Sequence, residues 1–500
     1  MAVTSIISAV SLNDHIMREE DKMPDDVALS IHSLEHGFWT ADRVALASSG
    51  TWLRPPAENW AATGLSIYAP AMQPGNIAVV RTELDKCGMP EDAVRQMHPL
   101  PACIMTTAPE LLDNIHLPVI QVADATEAVL GMGRYARDRM KGQIIGVTGS
   151  AGKTTCVAML TEALVPWGPV RQSAHNANLP RGVAWNLASM PWNTPYIVLE
   201  MAIGRMAVSS RMARPHVAIV TNIQPAHLGE TDTLRDIAIT KSAIFLGMAE
   251  GSIAVLNRDM QEWDTVYQAA QKRKLTVVTY GEHADCDFQL LDYESKHQRV
   301  KVRAKESILE YTLGAGGKHI ALNSLAVLAT LDALHLPPGP ALDKLSQFKA
   351  LAGRGEEKAL SVKGRQVTVI DDAYNANPGS MKAALERLSE IQSAGRRIAV
   401  LGEMAELGAH SEHYHTELAA TLNQSHIDHV FMVGETYQQC WNSLLPEKKG
   451  ALVFNHTELR PLLIRQIEQG DVVLFKGSHS TRIHDLVRWI KAIADSEPLS

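Results

Sequence analysis

The sequence predicts an α/β protein in which parallel sheets form the core of more than one domain. Three observations support this prediction. Short apolar runs alternate with helical patterns along most of the chain, a glycine-rich turn joins a strand to a helix at 148–155, and a Pro- and Gly-rich break at 335–340 separates two such stretches. Strands that alternate with helices are typical of doubly wound parallel sheets, whose sites lie at the carboxyl ends of the strands.

Length and composition limit the class of protein. The chain has 500 residues, more than one hydrophobic core usually serves, so about two to four domains are expected. The formal net charge of -8 provides no basic surface for nucleic acid or an anionic membrane. No apolar run reaches the ~18 residues of a membrane span, and the cysteines show no zinc or disulfide spacing. We expect a cytoplasmic protein, a monomer or weak homodimer, that binds neither nucleic acid nor membrane.

The N-terminal part of the chain divides into two segments. Residues 1–60 have an irregular pattern and form a predicted N-terminal extension. Residues 61–140 alternate apolar runs with helical patterns, which predicts a small α/β domain. Its predicted strands are Ile77–Val80, Cys103–Met105 and Val119–Val122.

Strand–helix alternation is strongest in residues 141–345 and again in 346–500, which predicts a central and a C-terminal α/β domain. The central domain has predicted strands at Ile144–Val147, Tyr196–Glu200 and Val217–Thr221, and predicted helices at Lys153–Leu164 and near 232–248 and 321–335. The C-terminal domain has predicted strands at Val367–Ile370, Ile398–Leu401, His429–Val433 and Val472–Phe475.

The most specific local signal is the turn Thr148-Gly-Ser-Ala-Gly-Lys-Thr-Thr155, between a predicted strand and a predicted helix. Glycines let several backbone N–H groups converge on phosphate oxygens, and the helix N-terminus adds its positive dipole end. Lys153 would reach the β- and γ-phosphates of ATP, and the Thr154 hydroxyl would ligate Mg²⁺. The predicted nucleotide-binding residues here are Thr148, Gly149, Ser150, Ala151, Gly152, Lys153, Thr154 and Thr155.

The shortened loop resembles the ATP site of the Mur ligase family, which includes peptidoglycan peptide ligases and folylpolyglutamate synthase. The resemblance extends over residues 64–500 and is nearest to the D-alanyl-D-alanine-adding branch. The runs that carry it are Asn222–Leu228, Lys241–Phe245, Asp371–Met381, Leu401–Gly408 and Lys476–Ser478. It implies three domains: an N-terminal substrate domain, a central P-loop ATPase with a parallel sheet, and a C-terminal Rossmann-like domain that closes over the nucleotide.

The resemblance also implies a catalytic set of Lys153, Glu200, His227 and Lys241. Thr154 and Glu200 would hold one Mg²⁺, since hard oxygen ligands suit this ion. The resemblance assigns His227 to a second Mg²⁺. Lys241 would be carbamylated by CO₂, which turns a cation into an anionic metal ligand. An unmodified Lys241 is the alternative at this position.

Further positions match the family's nucleotide and substrate contacts, although Asn, Asp and Gly also favour ordinary turns. The resemblance implies nucleotide contacts by Asn323, Arg354, Asp372, Tyr374, Asn375 and Asn377. It implies substrate contacts by Asn176, Asn178, His415, Lys476, Ser478 and Arg482. Domain closure would hinge at 335–340 and at Gly353–Gly355.

The implied reaction joins a small-molecule carboxylate to an amine, such as an amino acid or dipeptide, through an acyl phosphate made with ATP. Where the family usually reads Asp-Ser-Arg, this chain has Tyr68, Ala69 and Pro70. Alanine and proline side chains donate no hydrogen bond to a diphosphate, and proline also lacks a backbone donor. We therefore expect an acyl donor without UDP, from a specialised pathway.

Two alternatives stay open at this point. The first is a cell-wall ligase that joins UDP-N-acetylmuramoyl-tripeptide to D-alanyl-D-alanine. The second comes from another class: a P-loop phosphotransferase or NTPase that stops at phosphoryl transfer and forms no amide bond.

Overall fold

A computed structural model describes residues 37–98, 100–112, 115–226 and 233–495. The chain folds into two compact units that interleave along the sequence. The first comprises Met1–Gly146, Pro169–His216 and Ala243–Ala249, and the second comprises Val147–Gly168, Val217–Ser242 and Glu250–Ser500. None of the helices in the described residues is long and apolar enough to cross a membrane.

The first unit contains a five-stranded sheet of order β2-β7-β6-β5-β4. Neighbours from β4 to β7 are parallel, and β2 is antiparallel to β7. The three strands predicted between 77 and 122 are confirmed. The elements are β1 (Trp39–Thr40), α1 (Ala41–Ser48), β2 (Thr51–Arg54), β3 (Ala61–Ala62), β4 (Gly64–Ser66), β5 (Asn76–Val80), α2 (Glu91–Arg95), β6 (Cys103–Thr106), β7 (Val119–Gln121) and α3 (Ala125–Arg139).

The predicted irregular extension is ordered wherever it is described. Residues 37–60 contribute α1 and the edge strand β2, while residues 1–36 lie outside the described residues. The Trp39 indole donates to the carbonyl of Ala188 at 2.7 Å, and α1 packs closely against Gly131 of α3. An eight-residue helix and a four-residue strand give a weak periodic signal, so tertiary packing supplies the order that the pattern lacks.

Strand β8 (Gln143–Thr148) begins in the first unit and ends in the second, where α4 (Lys153–Leu164) follows. The remaining first-unit elements are β9 (Val170–Gln172), α5 (Pro180–Ala188), β10 (Tyr196–Glu200) and α6 (Met206–Ala213). Strands β9 and β10 are parallel. The predictions for α4 and β10 are confirmed to the residue.

The second unit continues with strands β11 to β16. Strands β11 to β14 pair in chain order and are parallel, whereas β14, β15 and β16 form an antiparallel meander. The predicted break at 335–340 covers the link after α9 and the first two residues of α10. The elements are β11 (Val217–Val220), α7 (Leu234–Ser242), β12 (Ile253–Asn257), α8 (Trp263–Lys272), β13 (Thr276–Gly281), β14 (Phe288–Glu294), β15 (Arg299–Ala304), β16 (Ser307–Thr312), α9 (Lys318–Ala333) and α10 (Gly339–Gln347).

The C-terminal part of the second unit has a six-stranded sheet of order β17-β18-β22-β19-β20-β21. All neighbours are parallel except β17 and β18, and apolar clusters cover both faces. The four strands predicted here are confirmed. The elements are β17 (Glu356–Val362), β18 (Arg365–Asp372), α11 (Pro378–Glu390), β19 (Arg397–Gly402), α12 (Ser411–Gln424), β20 (His429–Val433), α13 (Gln438–Ser443), β21 (Lys449–Val453), α14 (His456–Gln466), β22 (Val472–Lys476) and α15 (Ile483–Asp495).

The close approach of α1 and α3 predicts that Gly131→Ala lowers the unfolding temperature. Alanine favours a helix by about 1 kcal/mol, but its Cβ would lie 2.2 Å from the carbonyl oxygen of Ala47. Forcing the two helices apart costs about 1–3 kcal/mol, so the net change is destabilising. Thermal unfolding measures it, with Gly339→Ala as a matched control, since nothing lies within 4 Å of that position. Equal unfolding temperatures for the two variants would contradict this packing.

Candidate active site

The turn between β8 and α4 is built on two glycines that no other residue can replace without strain. Gly149 has φ 152°, and a Cβ there would lie 1.9 Å from the Thr221 hydroxyl oxygen. Gly152 has φ 78° and precedes the first residue of α4. Positive φ angles are open to glycine at little cost. The predicted strand–loop–helix context of the phosphate loop is therefore present.

Asn222, directly after β11, holds the middle of this loop. Its side-chain oxygen accepts hydrogen bonds from the backbone amides of Ser150 at 3.1 Å and Ala151 at 2.8 Å. Its side-chain nitrogen donates to the Ala151 carbonyl at 3.2 Å. These two loop amides are thus bonded within the protein, which leaves the N-terminus of α4 as the part of the loop best suited to phosphate.

Buried hydrogen bonds hold Thr221, and with it the adjacent Asn222, in position. The Thr221 hydroxyl donates to the Ala151 carbonyl at 2.6 Å. The Thr221 carbonyl accepts from the side-chain amide of Asn257 at 2.9 Å and from the Tyr280 hydroxyl at 3.4 Å. Sequence reasoning missed Asn257 and Tyr280. The only signal in the sequence would have been a polar residue at the carboxyl end of a strand next to β11. Recognising that strand requires the order of strands in the sheet, which the sequence does not give.

Two lysines share one acceptor inside the loop. The ammonium groups of Lys153 and Lys241 each donate to the carbonyl oxygen of Gly149 at 2.9 Å. Lys241 is only 1% exposed. Two cations at one carbonyl, in a region of low dielectric constant, create a strong local attraction for an anion.

Helix α9 contributes Asn323 and His319, one turn apart. The Asn323 side chain lies against the loop, with its oxygen 3.2 Å from the Cβ position of Gly152. His319 is half-buried, and desolvation together with the nearby charges of Arg387 and Lys476 lowers its pKa to about 3. His319 is therefore neutral at physiological pH. The sequence pointed to Asn323 but not to His319.

The loop between β18 and α11 reaches the phosphate loop from the C-terminal sheet. The Asn377 side-chain amide lies 3.5 Å from the Ser150 carbonyl oxygen, at the limit of a hydrogen bond. A Cβ on Gly379 would lie 2.2 Å from the side chain of Gln224, so these segments touch. Asn377 also caps α11 in a reciprocal pair with Ser380, which fixes the direction of the helix.

Other predicted residues of this loop meet cationic partners. Lys476, 2% exposed, donates to the Asp372 carboxylate at 2.7 Å and to the Asn375 carbonyl at 3.2 Å. The Arg354 guanidinium lies 4.2 Å from the centre of the Tyr374 ring. The structure thus brings Asp372, Asn375 and Lys476 together, and pairs Arg354 with Tyr374.

The remaining C-terminal candidates lie in different surroundings. His415 is buried, accepts from the Met404 amide at 2.9 Å and donates to the Ser411 carbonyl at 2.7 Å. Both ring nitrogens are used, so this geometry favours a packing role, and its substrate contact stays a prediction. Ser478 accepts from the Ala405 amide at 2.8 Å. Arg482 belongs to a separate group around Asp485.

In the first unit, Glu200 ends β10 as predicted and is 5% exposed. Its carboxylate accepts from the Asn178 side chain at 2.8 Å, and its backbone amide donates to the Ser173 hydroxyl at 2.9 Å. Asn176 adopts a left-handed conformation with φ 51° and its carbonyl accepts from the Asn178 amide at 2.8 Å. The three predicted residues therefore form one polar group.

The donor set fits magnesium in part. Within residues 37–98, 100–112, 115–226 and 233–495, no group of three or more His, Cys, Asp or Glu could hold a metal ion. Mg²⁺ usually takes one or two carboxylates and completes its shell with water and substrate phosphates, so Thr154 and Glu200 have suitable chemistry. An unmodified Lys241 ammonium does not, and His227 lies outside the described residues.

Two family models match the segments that carry this geometry. The Mur ligase middle domain matches residues 147–331, and the Mur ligase glutamate ligase domain matches residues 353–479. A UDP-N-acetylmuramoyl-tripeptide–D-alanyl-D-alanine ligase of Bacillus subtilis is 30% identical over 376 residues, which is 74% of this chain and 80% of the relative. The chain belongs to the Mur ligase family. It is therefore an ATP-dependent ligase that forms amide bonds, and the phosphotransferase alternative is not supported.

Solved structures agree with this membership of the Mur ligase family. MurF from Acinetobacter baumannii superposes with a TM-score of 0.77 and 25% identity, covering 91% of this chain and 99% of that chain. The MurF ligase from Thermotoga maritima, solved in complex with ADP, shares the fold with a TM-score of 0.71 and 24% identity, covering 86% and 98%. The predicted α/β fold with mostly parallel sheets, of the multi-domain Mur ligase type, is confirmed.

The hydrogen bonds of Asn222 predict that Asn222→Ala weakens nucleotide binding by about tenfold. The Ala151 amide loses its acceptor, the Ser150 amide keeps only the backbone carbonyl of residue 222, and the turn loosens. Titration calorimetry with ADP and Mg²⁺ measures this affinity. Asn423→Ala is a matched control, since this half-buried asparagine of α12 bonds the Ser443 and Leu445 backbone, away from the phosphate loop. An Asn222→Ala affinity equal to that of wild type would disprove the role of this side chain.

Proposed function

We propose that this enzyme joins the terminal carboxylate of UDP-N-acetylmuramoyl-tripeptide to the amine of D-alanyl-D-alanine and converts ATP to ADP and phosphate. The observation that carries the proposal is the 30% identity to the Bacillus subtilis ligase of that name across 80% of its length. The sequence analysis kept this cell-wall activity as an alternative and favoured an acyl donor without UDP. Because the reaction consumes ATP, we expect it in the cytoplasm.

In the first step, the acyl carboxylate attacks the γ-phosphorus of ATP, which forms an acyl phosphate and releases ADP. Phosphoryl transfer needs positioning and compensation of negative charge more than covalent help from the protein. The N-terminus of α4 and the Lys153 ammonium supply that compensation in this chain. The Gly149 carbonyl holds Lys153 at the loop, so the cation is already in place when the nucleotide binds.

In the second step, the amine attacks the acyl carbon, and the tetrahedral intermediate expels inorganic phosphate. The acyl phosphate also reacts with water, so the site must exclude solvent. The contact of Asn377 with Ser150 and of Gly379 with Gln224 supports a role for this loop in covering the phosphate loop. We assign Asp372 and Lys476, which form a buried ion pair, to keeping the loop in that position.

Magnesium fits the proposal through Thr154 and Glu200, whose hydroxyl and carboxylate oxygens are the ligands that it prefers. When bound, the ion would neutralise charge on the phosphate oxygens during transfer. His227 is a further ligand in the proposal, on the family resemblance alone. The Asn178 bond orients the Glu200 carboxylate within the first unit, and removing it should loosen that orientation.

We propose further that Lys241 carries a carbamate. Lys241 is only 1% exposed, and a lysine in its neutral form can attack CO₂ to form an N–C bond and release a proton. The product is an anion that would remove the repulsion between Lys241 and Lys153. It would also add an oxygen ligand for the metal.

One observation favours a second candidate, an acyl donor without a nucleotide. The Tyr68 amide donates to the Ser66 hydroxyl at 3.3 Å, and the Ala71 amide donates to the Tyr68 carbonyl, so these backbone donors are used locally. Tyr68 meets the edge of the His175 ring, which stacks on Trp185. This aromatic group offers ring surface and the Tyr68 hydroxyl where the family has Asp-Ser-Arg, and the Ala69 and Pro70 side chains offer no donor.

A substrate panel tests the proposed function. We expect phosphate release from ATP and Mg²⁺ with UDP-N-acetylmuramoyl-tripeptide and D-alanyl-D-alanine, and an acyl hydroxamate when hydroxylamine replaces the amine. Lys153→Ala is the inactive control. Turnover only with a nucleotide-free carboxylate would reject the UDP donor and select the second candidate. Turnover without any hydroxamate would reject the acyl phosphate.

Carbamylation predicts a ¹³C carbamate resonance when the protein is supplied with ¹³C-bicarbonate, and a loss of activity when CO₂ is removed. Lys241→Ala should abolish both the resonance and the activity, whereas Lys274→Ala should retain them, since that lysine is exposed and paired with Glu250. NMR and phosphate release are the measurements. A resonance that survives in Lys241→Ala would place the carbamate on another amine.

A further inference from the structure

An open cavity of about 480 Å³ lies on the C-terminal sheet between α14 and α15. It is separate from the phosphate loop and its contacts described above. Its side chains come from the beginnings of the two helices, where α14 follows β21 and α15 follows the turn after β22. In parallel sheets this carboxyl edge is where ligands bind. The lining includes His456, Arg460, Arg482, Asp485, Arg488 and Trp489.

The cavity carries an excess of positive charge. Three guanidinium groups surround one carboxylate, that of Asp485, which is 8% exposed. Asp485 accepts from Arg482 Nε at 2.6 Å and also pairs with Arg488. Burial lowers the pKa of His456, so this ring adds no charge at neutral pH. One carboxylate compensates for one of the three cations, which leaves a net charge of about two.

Arg460 adds a third guanidinium group to the lining of the cavity. Its Nε atom is buried and has no hydrogen-bond partner among the described residues. A buried donor without an acceptor costs about 1–3 kcal/mol, and more when the group is charged. The guanidinium lies over the ring of Trp489 at 5.6 Å, which holds the side chain at the cavity.

We propose that this cavity binds the phosphate group of a small phosphorylated molecule. A phosphate dianion matches the net charge, and its oxygens suit the planar forks of several guanidinium groups at once. The cavity is larger than a phosphate alone, and the rings of Trp489 and His456 offer flat surfaces for the rest of the ligand. The proposal does not depend on the ligase reaction, because none of the steps above uses these residues.

Titration calorimetry on the full-length protein tests this site with inorganic phosphate, uridine monophosphate and malonate. ADP and Mg²⁺ are present at saturation so that the phosphate loop is occupied. We expect one saturable site for both phosphate compounds and weaker binding of malonate, a dicarboxylate. Arg460→Gln and Arg488→Gln should each weaken phosphate binding by about tenfold, the usual effect of losing a charge-assisted hydrogen bond.

Controls separate this site from the active site and from general charge effects. Arg465→Gln removes an exposed cation from the same helix outside the cavity, and its affinity should stay at the wild-type value. Lys153→Ala should also keep phosphate binding, because it alters only the phosphate loop. Arg488 is 54% exposed on its side chain, so its variant keeps the test sound if Arg460→Gln unfolds. Absence of saturable binding, equal affinity in Arg488→Gln and wild type, or tighter binding of malonate would each overturn the proposal.

Discussion

The carbonyl oxygen of Gly149 accepts a hydrogen bond from the ammonium group of Lys153 and another from that of Lys241. The positions of the neighbouring side chains in the site depend on this shared acceptor. The carbonyl can point at both lysines only because Gly149 has φ 152° and lies against Thr221 without a Cβ. Thr221 and Asn222 then fasten the rest of the turn from the end of β11. A side chain at 149 would therefore disturb the turn, the neighbouring strand end and both cations together.

The distribution of charge is consistent with the position of the loop between β18 and α11 beside the phosphate loop. Lys476 and Arg387 lie near His319 and remain paired with Asp372 and Glu357, respectively. Lys153 and Lys241 both donate to the Gly149 carbonyl, which places two cations at the phosphate loop. A nucleotide triphosphate supplies the complementary charge. The family's chemistry, in which a carboxylate is activated by phosphate, follows from this electrostatic arrangement and from a loop that limits access of water.

The fold was largely readable from local patterns, and its exceptions have physical reasons. Continuous apolar runs predicted β10 and β20 to the residue because strands buried on both faces leave that signal. The meander of β14 to β16 was missed, although β15 alternates exposed and buried residues as a half-buried strand should. Helix α1 was missed because it is short and depends on contacts such as that of Trp39 with Ala188.

The candidate site divides in the same way. The glycine-rich turn and Glu200 at the end of β10 are local features, and family motifs pointed to Lys241, Asn323 and Asn377. Asn257 and Tyr280, which support Thr221, had no local signal because they come from separate strands. The family resemblance implied a substrate contact for each of His415, Ser478 and Arg482, but the structure gives them different surroundings. His415 is hydrogen-bonded in the core, Ser478 accepts from the Ala405 amide, and Arg482 lines the basic cavity.

The sequence by itself determined the phosphate loop, the alternation of strands and helices and the membership of a ligase family, because each depends on residues close together in the chain. Only the tertiary structure decided that Lys241 meets Lys153 at one carbonyl, that Asn222 binds the loop amides, and that three arginines surround Asp485. The Lys241 bond to Gly149 spans 92 positions of the chain and the Asn222 bond to Ser150 spans 72, and strand order brings these residues together. Spacing along the chain carries no record of that order.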